Sequence, residues 1–305
     1  MSVNLLSIVI PVYKSAPTLE LLYAEICKSL DGRVPFEVVF VEDGSNDGSW
    51  NVLQKIKQAH PGNVTAIKFS RNFGQHNAIA CGFGFANGEI IVTMDDDLQH
   101  PPSEIVKLLE KYEATKADVV YGIYTTKQHS QWRNAGSGIL RGGAALEGKS
   151  GVGSSFRLIT KSLATKIASH LQSGFLFIDE VIHWYTANIV GVSVEHHPRR
   201  EGKSTYSGRK LFRMYLNILV NYSALPLKVM TWLGLFFSLV SFAFGIRFIY
   251  HKLVHGSVPG FTALIVTVLF STSLLMFCMG IVGQYLYKLY QMQNRRPQFL
   301  VEEVL

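Results

Sequence analysis

EIIVTMDDDLQHPP, residues 89–102, sets the fold. The short β-branched run Glu89–Met94 reads as a buried strand, and three carboxylates close it before two prolines stop the chain. Adjacent like charges repel, and desolvating them is costly unless something positive joins them. Side chains alternate along an extended chain, so Asp95 and Asp97 share one side and Asp96 faces the other. Two hard oxygen donors at the carboxyl end of a strand suit Mg²⁺ or Mn²⁺ better than Zn²⁺. The competing reading is a solvated acidic turn that caps the helix begun by Pro101-Pro102, so the surrounding sequence must decide.

Outward from this stretch, strand-like runs (Leu6–Val12, Phe36–Val41, Val64–Phe69, Glu89–Met94, Asp118–Ile123) alternate with helix-like ones. The helical stretches are Ala16–Leu30, Ser49–Ala59, Gln75–Ala86 and Pro102–Glu113. This alternation predicts βαβ units in a mostly parallel, doubly wound sheet. Ligands of such sheets bind beyond the carboxyl ends of the strands. Pro11-Val12-Tyr13, Glu42-Asp43-Gly44-Ser45 and Asp95-Asp96-Asp97 all fall there, which favours the metal reading. Residues 124–155 are rich in Gly, Ser and Gln, with Arg133 and Arg141 among them, and read as a mobile loop. A second mixed α/β segment runs to about His197.

Two apolar stretches dominate the end of the 305-residue chain, Val229–Tyr250 and the uncharged Phe261–Tyr287. Each is long enough to cross about 30 Å of hydrocarbon as a helix, and the short His251–Gly260 linker makes the pair a hairpin. The net charge of +7 is unevenly placed. Residues 1–198 carry 17 basic and 19 acidic side chains, whereas 199–228 carry seven and one. The basicity is thus a band beside the membrane, which argues against a nucleic-acid partner. By the positive-inside rule the N-terminal domain and the C-terminus lie in the cytoplasm of an integral membrane protein. Ser207–Ala224, with apolar residues at helical spacing behind Arg209, Lys210 and Arg213, fits an amphipathic helix on anionic lipid. The expected division is a cytoplasmic domain over 1–206, a juxtamembrane helix over 207–225, a hairpin over 226–290 and a cytoplasmic tail over 291–305. Cys27, Cys81 and Cys278 have no metal-like spacing and read as reduced thiols. Leu5–Val12 is too short for the apolar part of a signal peptide.

The segments SIVIPVY, VFVEDGSNDGS, FSRNFGQHNAIACGF, IVTMDDDLQHPP, SSFRLI and RREGKSTYS, in that order, resemble a family 2 glycosyltransferase of the GT-A fold. More narrowly they resemble the polyprenyl-phosphate glycosyltransferases, relatives of dolichol-phosphate mannose synthase with a two-helix membrane tail. The resemblance implies a nucleotide pocket lined by Pro11, Tyr13, Asp43 and Arg71, with Asp95 toward the ribose or sugar. It implies that Asp97 and Gln99 hold Mg²⁺ or Mn²⁺ on the diphosphate, with Asp95 and Asp97 catalytic, and that Asp96 matters least. Arg157, Arg199 and Lys203 are the candidate anchors of the acceptor phosphate, joined by Arg200, Arg133 and Arg141. After Pro-Val-Tyr the family commonly shows Asn-Glu-Glu, where this chain has Lys14-Ser15-Ala16.

The implied reaction is inverting transfer of a hexose from a nucleoside-diphosphate sugar to an undecaprenyl-type phosphate at the cytoplasmic face of the membrane. A leaving diphosphate needs a Lewis acid, whereas a phosphate acceptor is already an anion and needs cations more than a base. A hydroxyl acceptor is the alternative, and Asp179-Glu180 would then serve as base. A non-catalytic membrane scaffold is the third reading, opposed by the intact Asp95, Asp97 and Gln99. The expected partners are the donor, the lipid phosphate, membrane lipid, a downstream flippase and a second copy of the chain. Ser271, Ser273, Gly280 and Gly283 offer close helix packing between protomers or within the hairpin. His76 and His100 read as structural or supporting groups, His196-His197 as a polar strand end, and Cys81 as core.

Overall fold

All seven residues of Leu6–Val12 are buried and form β1, in the interior of the sheet. A strand covered on both faces needs no polar alternation, hence its nearly continuous apolar sequence. The computed structural model describes residues 3–124, 154–169, 177–195, scattered positions between 230 and 254, 260–293 and 297–305. After β1 come α1 (Leu19–Leu30), β2 (Phe36–Glu42), α2 (Ser49–Ala59), β3 (Val64–Phe69), α3 (Gln75–Phe85) and β4 (Ile90–Thr93). A 3₁₀ turn, Pro102–Glu104, then leads into α4 (Ile105–Thr115), so Pro102 starts the helical segment after the acidic triplet. The order continues with β5 (Val119–Tyr124), β6 (Arg157–Thr160), α5 (Lys161–Ser169), α6 (Ile178–Tyr185), β7 (Ile189–Val194), α7 (Phe261–Gln293) and β8 (Val301–Val304).

The eight strands lie in the order β7-β5-β6-β4-β1-β2-β3-β8, with four of the seven pairings parallel. β1 pairs parallel with both β2 and β4. The chain therefore builds outward through β2 and β3, then crosses back past β1 to lay down β4. The carboxyl ends of β1 and β4 flank that reversal, which is where open α/β sheets bind their ligands. Helices cover the sheet through apolar stripes at i, i+3 and i+4 spacing. Leu19, Leu22, Tyr23, Ile26 and Leu30 of α1 are buried this way. α3 lies against β1 so closely that a Cβ on Gly82 would sit 2.4 Å from Val9 Cγ1.

Met1–Lys203 and Pro297–Leu305 form one compact unit, and Ser204–Arg296 forms a second. The last residues of the expected cytoplasmic tail thus join the sheet of the first unit. β8 pairs antiparallel with β3, Phe299 stacks on Phe69 with ring centroids 5.0 Å apart, and Lys68 meets Glu302 at 2.9 Å. In the second unit, α7 contains an 18-residue stretch, Phe270–Tyr287, long and apolar enough to cross a membrane. It is the one such helix among the described residues. The twelve described positions of the expected first span, 229–250, are helical, and its other ten lie outside the described residues. So do the 207–225 helix, His196-His197, and the acceptor candidates Arg133, Arg141, Arg199, Arg200 and Lys203.

Candidate active site

The loops after β1, β2 and β4 converge because those three strands are parallel neighbours. The Asp43 N–H donates to the Val12 carbonyl at 2.9 Å, and Met94 N–H to the Val9 carbonyl at 3.3 Å. Pro11 is buried at the end of β1, and Tyr13, just beyond it, keeps 43% of its surface exposed. That combination suits a pocket floor and a wall ring that a planar base can stack against.

Asp43 reaches from the β2 loop to the start of α3. Its carboxylate accepts the backbone N–H of Phe73 at 2.6 Å and of Gly74 at 2.9 Å. These donors belong to the N-cap Gly74 and the residue before it, at the positive end of α3, which favours a carboxylate. Burial nevertheless pushes Asp43 up to about 6, against those two hydrogen bonds, and the neighbouring Glu42 raises it further. Beside it Gly44 has φ +63°, and an added Cβ would lie 2.2 Å from the carbonyl carbon of Arg71. The β2 and β3 loops are therefore in backbone contact, which places Arg71 at the site, its guanidinium 4.8 Å from the centre of the Phe73 ring.

Asp95 is held from two sides. Gln75 Nε2, at the first turn of α3, donates to Oδ1 at 2.6 Å, and Ser155 Oγ donates to Oδ2 at 2.7 Å. Asp97 Oδ1 accepts the backbone N–H of Gln99 at 3.1 Å, and Leu98 between them has φ +58°. A buried leucine in the left-handed region is strained, and such strain collects at functional turns. Asp96 turns instead toward the β1 loop, accepting the Tyr13 N–H at 3.0 Å and the Ser15 hydroxyl at 2.5 Å. Burial raises it to about 6; those two bonds oppose the rise, and Asp95 and Asp97 add to it. Among the described residues no group of three or more His, Cys, Asp or Glu side chains is arranged as a metal cage. The donor set fits Mg²⁺ or Mn²⁺, which typically take one or two carboxylates and complete their shell with water and phosphate oxygens.

Arg157 is 1% exposed, so its place is in the interior and not on a solvated surface. It lies opposite Thr93 on β4 and Tyr121 on β5, and Nε donates to Thr93 Oγ1 at 3.3 Å. Its Nη1 forms an ion pair with Asp179 Oδ1, to which the Tyr121 hydroxyl also donates at 2.8 Å. Two residues assigned separate tasks from sequence thus engage each other, and the Asp179 oxygen that faces the sheet already accepts two donors. His76, beside Gln75, packs its ring on Phe177 at 4.8 Å. Burial holds His76 down at about 4, helped by the charge of Arg157 and opposed by Asp179. His100 is buried and stacks on Phe156, and Cys81 is a buried free thiol pushed up to about 12 by burial. Sequence reasoning passed over Gln75 and Ser155 as separate residues, although both stand in the quoted motifs. Ser155, two positions before Arg157, has the period-2 spacing that puts both on one side of an extended segment.

A model of glycosyl transferase family 2 matches residues 7–175. The undecaprenyl-phosphate 4-deoxy-4-formamido-L-arabinose transferase of Pseudomonas aeruginosa strain LESB58 is 30% identical over 312 residues, which is 99% of this chain and 91% of that protein. The transferase of the same name from Edwardsiella ictaluri is 30% identical over 315 residues, 100% of this chain and 95% of its own. Among solved structures, glucosyl-3-phosphoglycerate synthase from Mycobacterium tuberculosis with Mn²⁺, UDP-glucose and phosphoglyceric acid superposes with a TM-score of 0.50 at 18% identity, covering 72% of this chain and 80% of that one. A second mycobacterial protein gives 0.51 at 16% identity, covering 72% and 75%. At such identities the two structures share the fold with this chain.

Proposed function

The chain belongs to glycosyl transferase family 2, and on that premise we propose that it transfers a sugar from a nucleoside diphosphate to a polyprenyl phosphate of the undecaprenyl type. One observation carries this reading. The loops that bear Tyr13, Asp43 and Asp95–Asp97 meet at the switch point of the sheet, in a chain that matches undecaprenyl-phosphate sugar transferases over nearly its whole length. The names of those relatives specify an arabinose derivative, a pentose, so the proposal covers monosaccharides more broadly than the hexose read from sequence.

Asp97 and Asp95, with Gln99, would hold Mg²⁺ or Mn²⁺ on the diphosphate. When bound, such an ion neutralises the charge that develops on the departing nucleoside diphosphate. Pro11, Tyr13, Asp43 and Arg71 bind the nucleotide end, and Asp95, fixed by Gln75 and Ser155, faces the ribose or sugar. An acceptor phosphate oxygen then attacks the anomeric carbon as its bond to the diphosphate oxygen breaks, with inversion. The acceptor is already an anion, so no proton has to be removed. Arg199, Arg200, Lys203, Arg133 and Arg141 remain its proposed cationic anchors. The Arg157–Asp179 pair sits behind Asp95 and organises that wall. Asp179 Oδ1 accepts from both Arg157 and Tyr121, which supports a role for that carboxylate in holding the wall in place.

We further propose two membrane crossings, with both chain ends in the cytoplasm. Support comes from β8, which joins the same sheet as β1 to β7. Residues before 204 and after 296 then share one side of any membrane that α7 crosses. A chain that leaves one side and returns to it crosses an even number of times. The proposed second crossing precedes α7, and Val229–Tyr250 supplies the sequence for it. The test of function is mass spectrometry of the lipid fraction after purified protein, Mn²⁺, polyprenyl phosphate and a panel of nucleotide sugars are combined. A glycosyl-phosphoryl lipid formed with stoichiometric nucleoside diphosphate supports the proposal. Nucleoside diphosphate released with no lipid product argues against it.

A further inference from the structure

Of the three adjacent carboxylates, Asp96 is the one that spans the switch point. Oδ2 takes the Tyr13 N–H at 3.0 Å and the Ser15 hydroxyl at 2.5 Å, while the Asp96 carbonyl accepts from Thr18 Oγ1 at 2.9 Å. All three contacts join the loop after β4 to the loop after β1, across 78 to 83 residues of sequence. Between the two residues held by the carboxylate stands Lys14, with φ +59° and its ammonium 5.3 Å from the centre of the Tyr13 ring. A side chain with a Cβ rarely adopts that φ unless the surroundings impose it. The surroundings here are the Asp96 carboxylate, which grips the residue on either side of the strained one.

We propose that Asp96 is a positioning residue for donor binding: by clamping the Tyr13–Ser15 turn to the loop of Asp95 and Asp97, it sets the distance between the base-stacking ring and the diphosphate-binding carboxylates. The proposal rests on the donor site read above. A nucleoside diphosphate is held at its base end and at its phosphate end by two different loops. It binds tightly only when those loops keep a fixed separation, because any slack must be removed at the cost of binding energy. The Asp96 carboxylate accepts from the Tyr13 N–H and the Ser15 hydroxyl, so the proposed effect passes through the turn.

The test measures binding of UDP and GDP, with Mn²⁺ present, to the parent protein and to Asp96→Ala, Asp96→Asn and Ser15→Ala. It also measures KM for polyprenyl phosphate and the unfolding temperature of each. Losing two hydrogen bonds to a charged acceptor should weaken nucleotide binding about tenfold or more in Asp96→Ala, with acceptor KM unchanged. Asp96→Asn keeps an oxygen acceptor and should lose less. The Ser15→Ala effect should vanish in the Asp96→Ala background, since both act through one contact. Lys14→Gly should restore part of the binding lost in Asp96→Ala, because glycine adopts the left-handed φ without the steric cost that the clamp now offsets. Folded Asp96→Ala protein that binds nucleotide within about twofold of the parent would overturn the proposal. Equal losses in donor and acceptor affinity, or no recovery with Lys14→Gly, would overturn it too. If Asp96→Ala does not fold, Asp96→Asn and Ser15→Ala decide by the same criterion. A parent protein that binds neither nucleotide would instead remove the donor site itself.

Discussion

The Arg157 guanidinium, 1% exposed at the start of β6, is ion-paired with the Asp179 carboxylate at the start of α6. A buried pair contributes little net stability over an apolar one, but removing one partner leaves an uncompensated charge. Asp179→Ala is therefore expected to destabilise the catalytic unit by about 3 kcal/mol, and Asp179→Asn by less because Tyr121 keeps an acceptor. If the pair only organises the wall, residual activity of Asp179→Asn keeps the acid limb of the parent pH–rate profile. A variant of parental stability whose acid limb disappears would assign Asp179 the role of base.

His76 makes a signed prediction about acid stability. Its folded value near 4 lies below the ordinary imidazole value of 6.5. Between those values the unfolded chain takes up a proton that the folded chain refuses. The contribution of His76 is thus complete above pH 6.5 and is lost as pH falls toward 4. His76→Phe keeps a ring against Phe177 and cannot titrate. The gap between parent and variant should shift in favour of the variant from pH 7 to pH 4.5, by no more than about 3 kcal/mol. Chemical unfolding in detergent at several pH values measures it, and parallel profiles would refute the assignment.

Gly44 tests the contact between the β2 and β3 loops. Gly44→Ala places a Cβ 2.2 Å from the Arg71 backbone at a φ of +63°. Neither fault is cured by moving a side chain. A loss of about 2 kcal/mol or more in stability is expected, with nucleotide affinity falling as Asp43 loses its hold on Phe73 and Gly74. Calorimetry of the variant with nucleotide present reads both effects.

The C-terminal strand predicts a cost for truncation far from the site. Ending the chain at Arg296 uncovers the β3 edge and removes the Phe69–Phe299 stack, the Lys68–Glu302 ion pair and the bond from Trp50 Nε1 to Glu303. A destabilisation of about 2 kcal/mol or more is expected, with a tendency to associate through the open edge. Thermal unfolding followed by light scattering distinguishes this from a dispensable tail, which would leave both unchanged.

The elements easiest to read were those with purely local causes. β1, α2 and β3 begin and end where their apolar patterns do. β6 and β8 were not legible, because each has only four residues, one of them charged in β6 and two in β8, and pairing partners far along the chain make them strands. β4 is one residue shorter at each end than read, and α1 starts at Leu19 because the residues before it form the turn held by Asp96. Within the site, Asp43 and Asp95 stood out as acids closing apolar runs. The Arg157–Asp179 pair did not, since it joins a strand to a helix through tertiary packing. The significance of Asp96 was likewise hidden. Alternation correctly turns it away from the groups that hold Asp95, but no local pattern reveals that the β1 loop lies on the other side.

Transfer itself is tested most directly by mixing purified protein with Mn²⁺, a radiolabelled nucleotide sugar and polyprenyl phosphate, then extracting into organic solvent. Label is expected in the organic phase only when lipid phosphate is present. Asp97→Ala should lose about a hundredfold or more in transfer, as for removal of a group that stabilises the departing charge. Label that stays aqueous with every donor, while nucleotide still binds, would contradict the lipid-phosphate acceptor.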